Sequence, residues 1–141
     1  MSRIITIGKQ EYFPKIGKIE YKGVDSTDPL SFRYYDAERV INGKKMKDHF
    51  RFATCYWHTF CGNGGDPFGA GTKVYPWDNS NDPMDAAVDR LDAAFEFFTK
   101  LGTGFYCFHD RDLAPEGNSP KDSLNNLKRL TKLASQKQED S

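Results

Sequence analysis

The sequence has few cysteines and no long apolar run. Three cysteines occur in 141 residues, at positions 55, 61 and 107, and none has CxxC spacing. This odd, unpatterned set excludes a disulfide scaffold or a zinc knuckle and indicates reduced thiols in a cytoplasmic protein. No stretch reaches the roughly eighteen consecutive apolar residues that a membrane-spanning helix needs. We therefore expect a cytoplasmic protein with no membrane partner.

Net charge is also lacking, because twenty basic residues offset twenty acidic ones. Without a global positive field, a nucleic-acid partner is not expected. The glycines between positions 62 and 71 are not followed by the lysine and serine or threonine of a phosphate-binding loop, which disfavours a nucleotide site. With 38% hydrophobic residues, the chain can bury one modest core, so we expect a single structural domain.

Two segments have the pattern of buried parallel strands. Residues 52–60 and 105–108 are dense in aromatic and small apolar side chains without clean alternation, as in strands covered on both faces. Between them, Asp82 precedes a proline, and apolar residues then recur at spacings of three and four up to Gly102. This pattern predicts a helix with a capped start. The order strand, helix, strand indicates a parallel βαβ unit.

A second helix is predicted from Ser119, where a cap residue is followed by a proline and an acid. Its polar tail after Lys132 is expected to fray. Residues 61–81, rich in glycine with scattered aromatic residues, are predicted to form a long ordered loop, which is often functional.

The first fifty residues are irregular and suggest an arm rather than a packed unit. Short β-like pieces occur at residues 4–7 and 19–21. Asp36 is placed to cap a short helix through Val40, and residues 44–49 can form another helical turn or two.

The strand at residues 105–108 ends in a histidine and two nearby acids, His109, Asp110 and Asp112. The ends of buried strands are where barrel enzymes carry their catalytic groups, so this arrangement predicts a site. The alternative is a purely structural histidine that is hydrogen-bonded by one of the two aspartates.

Five stretches of the chain resemble the metal-dependent xylose (glucose) isomerases, specifically the class with an N-terminal extension. They are FRYY at 32–35, RFATCYWHTF at 51–60, GDPFG at 65–69, AFEFF at 94–98 and HDRDLAPEG at 109–117. The resemblance implies an α/β fold that is part of a TIM barrel. Residues 1–50 would be the N-terminal extension and residues 51–141 the first two βα units, completed by oligomerisation.

The resemblance also implies an activity and residue roles. The family interconverts D-xylose and D-xylulose by opening the sugar ring and shifting a hydride between carbons held by two divalent cations, Mg, Mn or Co. By resemblance, His109 assists ring opening and Asp112 orients its imidazole. Trp57 corresponds to the aromatic wall that excludes water, and Phe68 to a side chain donated into a neighbouring subunit's site.

The metal ligands of the family lie on later strands, which would follow Ser141, so no metal ligand is assigned in this chain. Because the hydride shift depends on those cations, we expect the isolated chain to be inactive. Exposed strand edges and helix faces favour a homodimer or larger assembly.

Three alternatives remain open from the sequence. A partner chain could supply the missing strands and metals and restore activity. A non-catalytic oligomer could instead bind a divalent cation, or a pentose or hexose sugar, through His109, Asp110 and Asp112. The chain could also be a structural or regulatory subunit of a full-length enzyme.

Overall fold

The computed structural model describes residues 4–141 and shows a mixture of helices and short strands. In chain order the elements are β1 (Glu20–Tyr21), β2 (Ser31–Phe32), β3 (Val40–Ile41), β4 (Lys44–Lys45), α1 (Met46–His49), β5 (Ala53–Cys55), a π-helical turn (Trp57–Cys61), a 3-10 turn (Pro76–Asp78), α2 (Pro83–Leu101), β6 (Phe105–Cys107), α3 (Asp110–Leu113) and α4 (Pro120–Asp140). Within this range the strands form three separate two-stranded sheets, β1-β2, β3-β4 and β5-β6, and none closes into a barrel. The mixed α/β class is therefore confirmed. Across residues 4–141, every helix is too short or too polar to cross a membrane.

The predicted βαβ unit is present as β5, α2 and β6. The two strands pair in parallel, with Ala53 opposite Phe105 and Cys55 opposite Cys107. The strand predicted at 105–108 is nearly correct, whereas the one predicted at 52–60 is too long. Tyr56 adopts helical dihedrals of −65° and −44°, and the π-helical turn begins directly after it.

Helix α2 begins and ends where the sequence predicts. The Asp82 carboxylate accepts hydrogen bonds from the backbone N–H groups of Met84 at 2.8 Å and Asp85 at 2.9 Å. These bonds satisfy donors that have no partner within the helix. At the other end, Gly102 has a φ of 81° and its N–H donates to the Phe98 carbonyl, as expected for a left-handed glycine that terminates a helix.

Helix α4 does not fray after Lys132, so that prediction was wrong. It continues to Asp140, and the Lys137 ammonium forms an ion pair with the Asp92 carboxylate of α2. Asp92 is buried and also accepts a hydrogen bond from the Lys9 backbone N–H at 3.2 Å. The ion pair with α2 therefore holds the C-terminal part of α4 in place. The polar sequence of this part did not by itself indicate that it packs against another helix.

The helix predicted from Asp36 to Val40 is absent. Val40–Ile41 instead pairs antiparallel with Lys44–Lys45. The connecting Asn42 and Gly43 have φ values of 49° and 79°, and two residues with positive φ form the turn that suits a two-residue hairpin. The Asn-Gly pair therefore directs a hairpin rather than merely ending a helix.

The other short elements proposed for the first fifty residues are partly correct. Residues 4–7 form no strand, but Glu20–Tyr21 lies within the segment proposed at 19–21 and pairs in parallel with Ser31–Phe32. Helical structure in the segment 44–49 is confined to Met46–His49.

An aromatic core lies between α2, the π-helical turn and the long loop before α2. Phe60 is fully buried, and its ring centroid lies 5.7 Å from that of Trp77 and 5.7 Å from that of Phe98. The Trp77 indole N–H donates to the Phe60 carbonyl at 3.0 Å. The 61–81 loop, predicted to be long and ordered, is therefore packed onto the core through Trp77.

The N-terminal segment, expected from the sequence to be an arm rather than a packed unit, is anchored to α2 by a buried ion pair. Glu96 is 0% exposed and accepts hydrogen bonds from the backbone N–H groups of Tyr12 at 2.8 Å and Phe13 at 3.0 Å. Lys100 is 4% exposed and donates to Glu96 at 2.7 Å, Glu11 at 2.8 Å and the Phe13 carbonyl at 2.7 Å. Burial alone would lower the pKa of Lys100, but its hydrogen bonds to Glu11 and Glu96 outweigh burial and raise it.

Candidate functional site

The parallel register of β5 and β6 brings Trp57 and His109 together. Each residue follows the last residue of its strand by two positions, after Cys55 and Cys107, which are register partners. The indole and imidazole ring centroids lie 4.5 Å apart, with an angle of 42° between the ring planes. Two residues that are far apart in sequence thus form one surface at the carboxyl ends of a parallel strand pair, where α/β enzymes place their sites.

His109 is held by Asp112 through two hydrogen bonds. The Asp112 Oδ2 atom lies 2.9 Å from His109 Nδ1 and accepts the His109 backbone N–H at 2.8 Å. A carboxylate can only accept, so this contact assigns the ring proton to Nδ1 and leaves the lone pair of the neutral imidazole on Nε2. The His109 side chain is 67% exposed, so a substrate can reach the ring.

Local backbone geometry explains why Asp112 lies against His109. His109 is the N-cap of the short helix α3, with extended dihedrals of −94° and 161°. Asp112 occupies the third helical position, and its backbone N–H donates to the His109 carbonyl at 3.1 Å. Spacing of three residues across a helix start therefore places the carboxylate over the histidine.

Arg90 supports this arrangement and was missed by the sequence analysis. Its guanidinium donates to the Asp112 carbonyl at 3.3 Å and to the Asp78 carboxylate at 2.9 Å. Burial disfavours the charged guanidinium, while the hydrogen bond to Asp78 raises its pKa, and the net shift is upward. Arg90 falls on the apolar stripe of α2, three residues after Ala87 and four before Ala94. A charged residue on such a stripe was the available signal.

Cys61 also contacts the turn that carries Asp112. Its thiol lies 3.7 Å from the Asp112 carbonyl oxygen, and burial raises the pKa of this thiol. Cys61 is therefore a neutral packing partner rather than a nucleophile at neutral pH.

The other residues singled out in the sequence, Phe68 and Asp110, have different contacts. Phe68 is 96% exposed on a turn where its backbone N–H donates to the Asp66 carboxylate at 2.9 Å. Within residues 4–141 it makes no ring contact with Trp57 or His109. The Asp110 carboxylate accepts the backbone N–H of Arg111 at 2.8 Å, so it serves the start of α3.

A metal centre does not fit the residues that the structure describes. Between positions 4 and 141, no three histidine, cysteine, aspartate or glutamate side chains are grouped so that they could hold a metal ion. Asp112 is hydrogen-bonded to His109, and the Asp110 carboxylate accepts the backbone N–H of Arg111.

A cavity of about 410 Å³ near α3 is lined by Arg111, Glu116 and Leu127, among others, and does not include His109.

No protein-family model matches the chain. It is 54% identical over 140 residues to xylose isomerase 1 of Xanthomonas campestris pv. campestris strain 8004, covering 99% of this chain and 31% of that protein. It is 52% identical over 140 residues to the xylose isomerase of Xanthomonas oryzae pv. oryzae strain MAFF 311018, covering 99% and 32%.

A third relative, xylose isomerase 1 of Xanthomonas axonopodis pv. citri strain 306, is 53% identical over 134 residues, which cover 95% of this chain and 30% of that protein. The chain thus spans about 31% of the length of the curated relatives it matches. At 52–54% identity over almost its whole length, the chain therefore matches a fragment of these xylose isomerases.

Proposed function

We propose that this chain carries the ring-opening part of a xylose isomerase active site. The observation that supports the proposal is the Asp112–His109 pair beside Trp57, in which Nδ1 is held by a carboxylate and the histidine side chain is 67% exposed. The named activity of the relatives supplies the substrate class, a pentose sugar, with a hexose as the related alternative.

The proposed ring-opening chemistry uses the lone pair on Nε2 of His109. Opening a cyclic sugar removes a proton from the anomeric hydroxyl and delivers one to the ring oxygen. An imidazole with one fixed N–H and one free lone pair can accept the first proton at Nε2 and return it to the ring oxygen. Asp112 stabilises the imidazolium formed in between, and Trp57 covers the apolar face of the sugar and excludes water.

The later hydride shift requires a divalent cation, Mg, Mn or Co, in the proposed whole enzyme. Since the described residues do not fit such a centre, we place its ligands outside residues 4–141, in further sequence or in a partner chain. We accordingly assign residues 51–141 to the first two βα units of a TIM barrel and residues 1–50 to an extension. On this assignment the chain alone does not isomerise xylose.

A chimeric enzyme tests the assignment. In xylose isomerase 1 of Xanthomonas campestris, the segment matched by this chain is replaced by residues 1–141. With Mg²⁺ or Mn²⁺, we expect the chimera to convert D-xylose to D-xylulose, and the 141-residue chain alone to give none above background. The product is measured by chromatography.

A second chimera that exchanges only residues 51–141 controls for a poorly fitting extension. Circular dichroism and thermal melting show whether each chimera is folded like the parent enzyme. If both are folded and neither forms xylulose, the proposed function is overturned.

We also propose that the 61–81 loop contacts a second chain through Phe68. A phenylalanine that is 96% exposed in a turn has no core to enter, and exposed aromatic side chains are typical of interfaces. The expected assembly is a homodimer or larger oligomer, and Phe68→Ser should weaken it. Light scattering at micromolar concentration measures this, with Val74→Ser as the exposed control on the same loop, and a monomeric native chain would contradict the proposal.

We place the protein in the cytoplasm. Cys55, Cys61 and Cys107 are free thiols in the structure, which suits a reducing compartment.

A further inference from the structure

Cys55 and Cys107 are direct neighbours across the parallel strand pair. They are register partners in β5 and β6. Adjacent strands lie about 4.8 Å apart, which falls within the range of about 4.4 to 6.8 Å between the Cα atoms of disulfide-bonded cysteines. The pairing therefore places both residues at a separation that a disulfide can bridge.

The two thiols project from the same face of the strand pair. Side chains alternate along a strand, and the preceding pair, Thr54 and Tyr106, faces α2. Thr54 is buried, and the Tyr106 ring lies 5.0 Å from the Phe98 ring. Cys55 and Cys107 must then point to the opposite face, where Cys107 is exposed and Cys55 is half-buried.

The Cys107 thiol leans toward the neighbouring strand. Its Sγ atom lies 3.8 Å from the Thr54 carbonyl oxygen, which belongs to the peptide group that joins Thr54 to Cys55. Rotation about the Cα–Cβ bond of Cys107 is the motion that would direct the sulfur at Cys55. Cys61, by contrast, contacts the Asp112 carbonyl.

We propose that Cys55 and Cys107 form a redox-sensitive dithiol that a low-molecular-weight disulfide, such as oxidised glutathione, converts to an intrachain disulfide. The Cys107 thiolate attacks one glutathione sulfur and releases one glutathione thiolate, which leaves a mixed disulfide on Cys107. The Cys55 thiolate then attacks the Cys107 sulfur and releases the second glutathione. Two protein thiols are oxidised, one glutathione disulfide is reduced to two thiols, and the two protons pass to the released glutathione.

This modification would lie directly beneath the candidate site. Trp57 and His109 each follow one of the two cysteines by two residues, so the bond would tie together the strand ends that carry them. The inference rests on the register of β5 and β6 and on the exposure of Cys107, and it does not require the proposed isomerase activity. In a reducing cytoplasm such a bond would be transient, as is usual for redox-sensing cysteines.

The test uses the folded 141-residue chain incubated with oxidised glutathione, then alkylated and digested without reduction. Mass spectrometry identifies which of the three possible cysteine pairs is linked. We expect the Cys55–Cys107 peptide to dominate, with the intact mass lowered by two hydrogens. Cys61→Ser should form the same bond, and Cys107→Ser should stop at glutathione adducts or remain reduced.

The same reaction in urea shows what the chain favours without its fold. In urea, Cys55 and Cys61 should become the main pair, because they are separated by the fewest residues and closing the shortest loop costs the least entropy. If Cys55–Cys61 or Cys61–Cys107 also dominates in the folded chain, or if only glutathione adducts form, the proposal is wrong.

Discussion

Replacing Glu96 by glutamine is expected to lower the free energy of unfolding by about 3 kcal/mol, because it removes one partner of a buried ion pair. Both Glu96 oxygens are used, by the backbone N–H groups of Tyr12 and Phe13 and by the Lys100 ammonium. Glutamine offers one acceptor oxygen and one NH₂ group. One of the groups that now donate to Glu96 would therefore face the glutamine NH₂, which is itself a donor. Lys100 would remain buried with Glu11 as its remaining carboxylate partner.

Urea unfolding followed by circular dichroism measures this effect. Glu116→Gln is the matched control, because Glu116 pairs with Arg111 at 3.0 Å but its side chain is 74% exposed. Exposed pairs contribute about 0 to 1 kcal/mol. Equal destabilisation by the two substitutions would show that the buried pair does not anchor the N-terminal segment.

The Glu96–Lys100 ion pair also makes the expected stability difference depend on pH. The pKa of Lys100 is raised in the folded chain above its usual value of 10.5. Its contribution to stability is therefore fully present below pH 10.5 and is lost as the pH rises through the folded-state pKa. The stability difference between the native chain and Glu96→Gln should shrink in that alkaline range.

Replacing His109 by asparagine in the active chimera is expected to reduce kcat for xylose by about 10² to 10⁴-fold, the usual contribution of a general acid-base residue. The asparagine side-chain N–H can still donate to Asp112 near the position of Nδ1, so the start of α3 is retained. No group remains at the position of Nε2, and the proton relay to the sugar ring is lost. Initial rates of xylulose formation measure the change.

His58→Asn is the matched control for this substitution. His58 is exposed beside Trp57, with ring centroids 5.7 Å apart, and it has no part in the proposed relay. We expect kcat to change little. A loss in His58→Asn as large as that in His109→Asn would contradict the assigned role, as would full activity without His109 when the chimera starts from cyclic xylose.

Features governed by neighbours in the sequence were predicted well. The start of α2 at Asp82 and its end at Gly102 follow from a cap, a proline and a glycine, which act within one helical turn. One exception is the Asn42 and Gly43 turn, where the same residues that break a helix also form a hairpin. Two-residue hairpin turns favour this pair because both positions need positive φ.

The candidate site was predictable in part. His109 and Asp112 are three residues apart, so the motif alone indicated that they could pair. The family resemblance gave Trp57 and His109 separate roles in one site and predicted no contact between them, whereas the structure places the two rings 4.5 Å apart. Arg90 was not identified, because its partners Asp78 and Asp112 lie twelve and twenty-two residues away.

By itself, the amino-acid sequence determined the resemblance to xylose isomerases, the two long helices and the local histidine–aspartate pair, since each depends on residue identity over short spacings. Only the tertiary structure decided which distant groups meet. Glu96 and Lys100 anchor a segment more than eighty residues earlier, and Cys55 lies opposite Cys107. Such contacts depend on strand register and helix packing, and both are set by burying the shared aromatic core rather than by any local pattern.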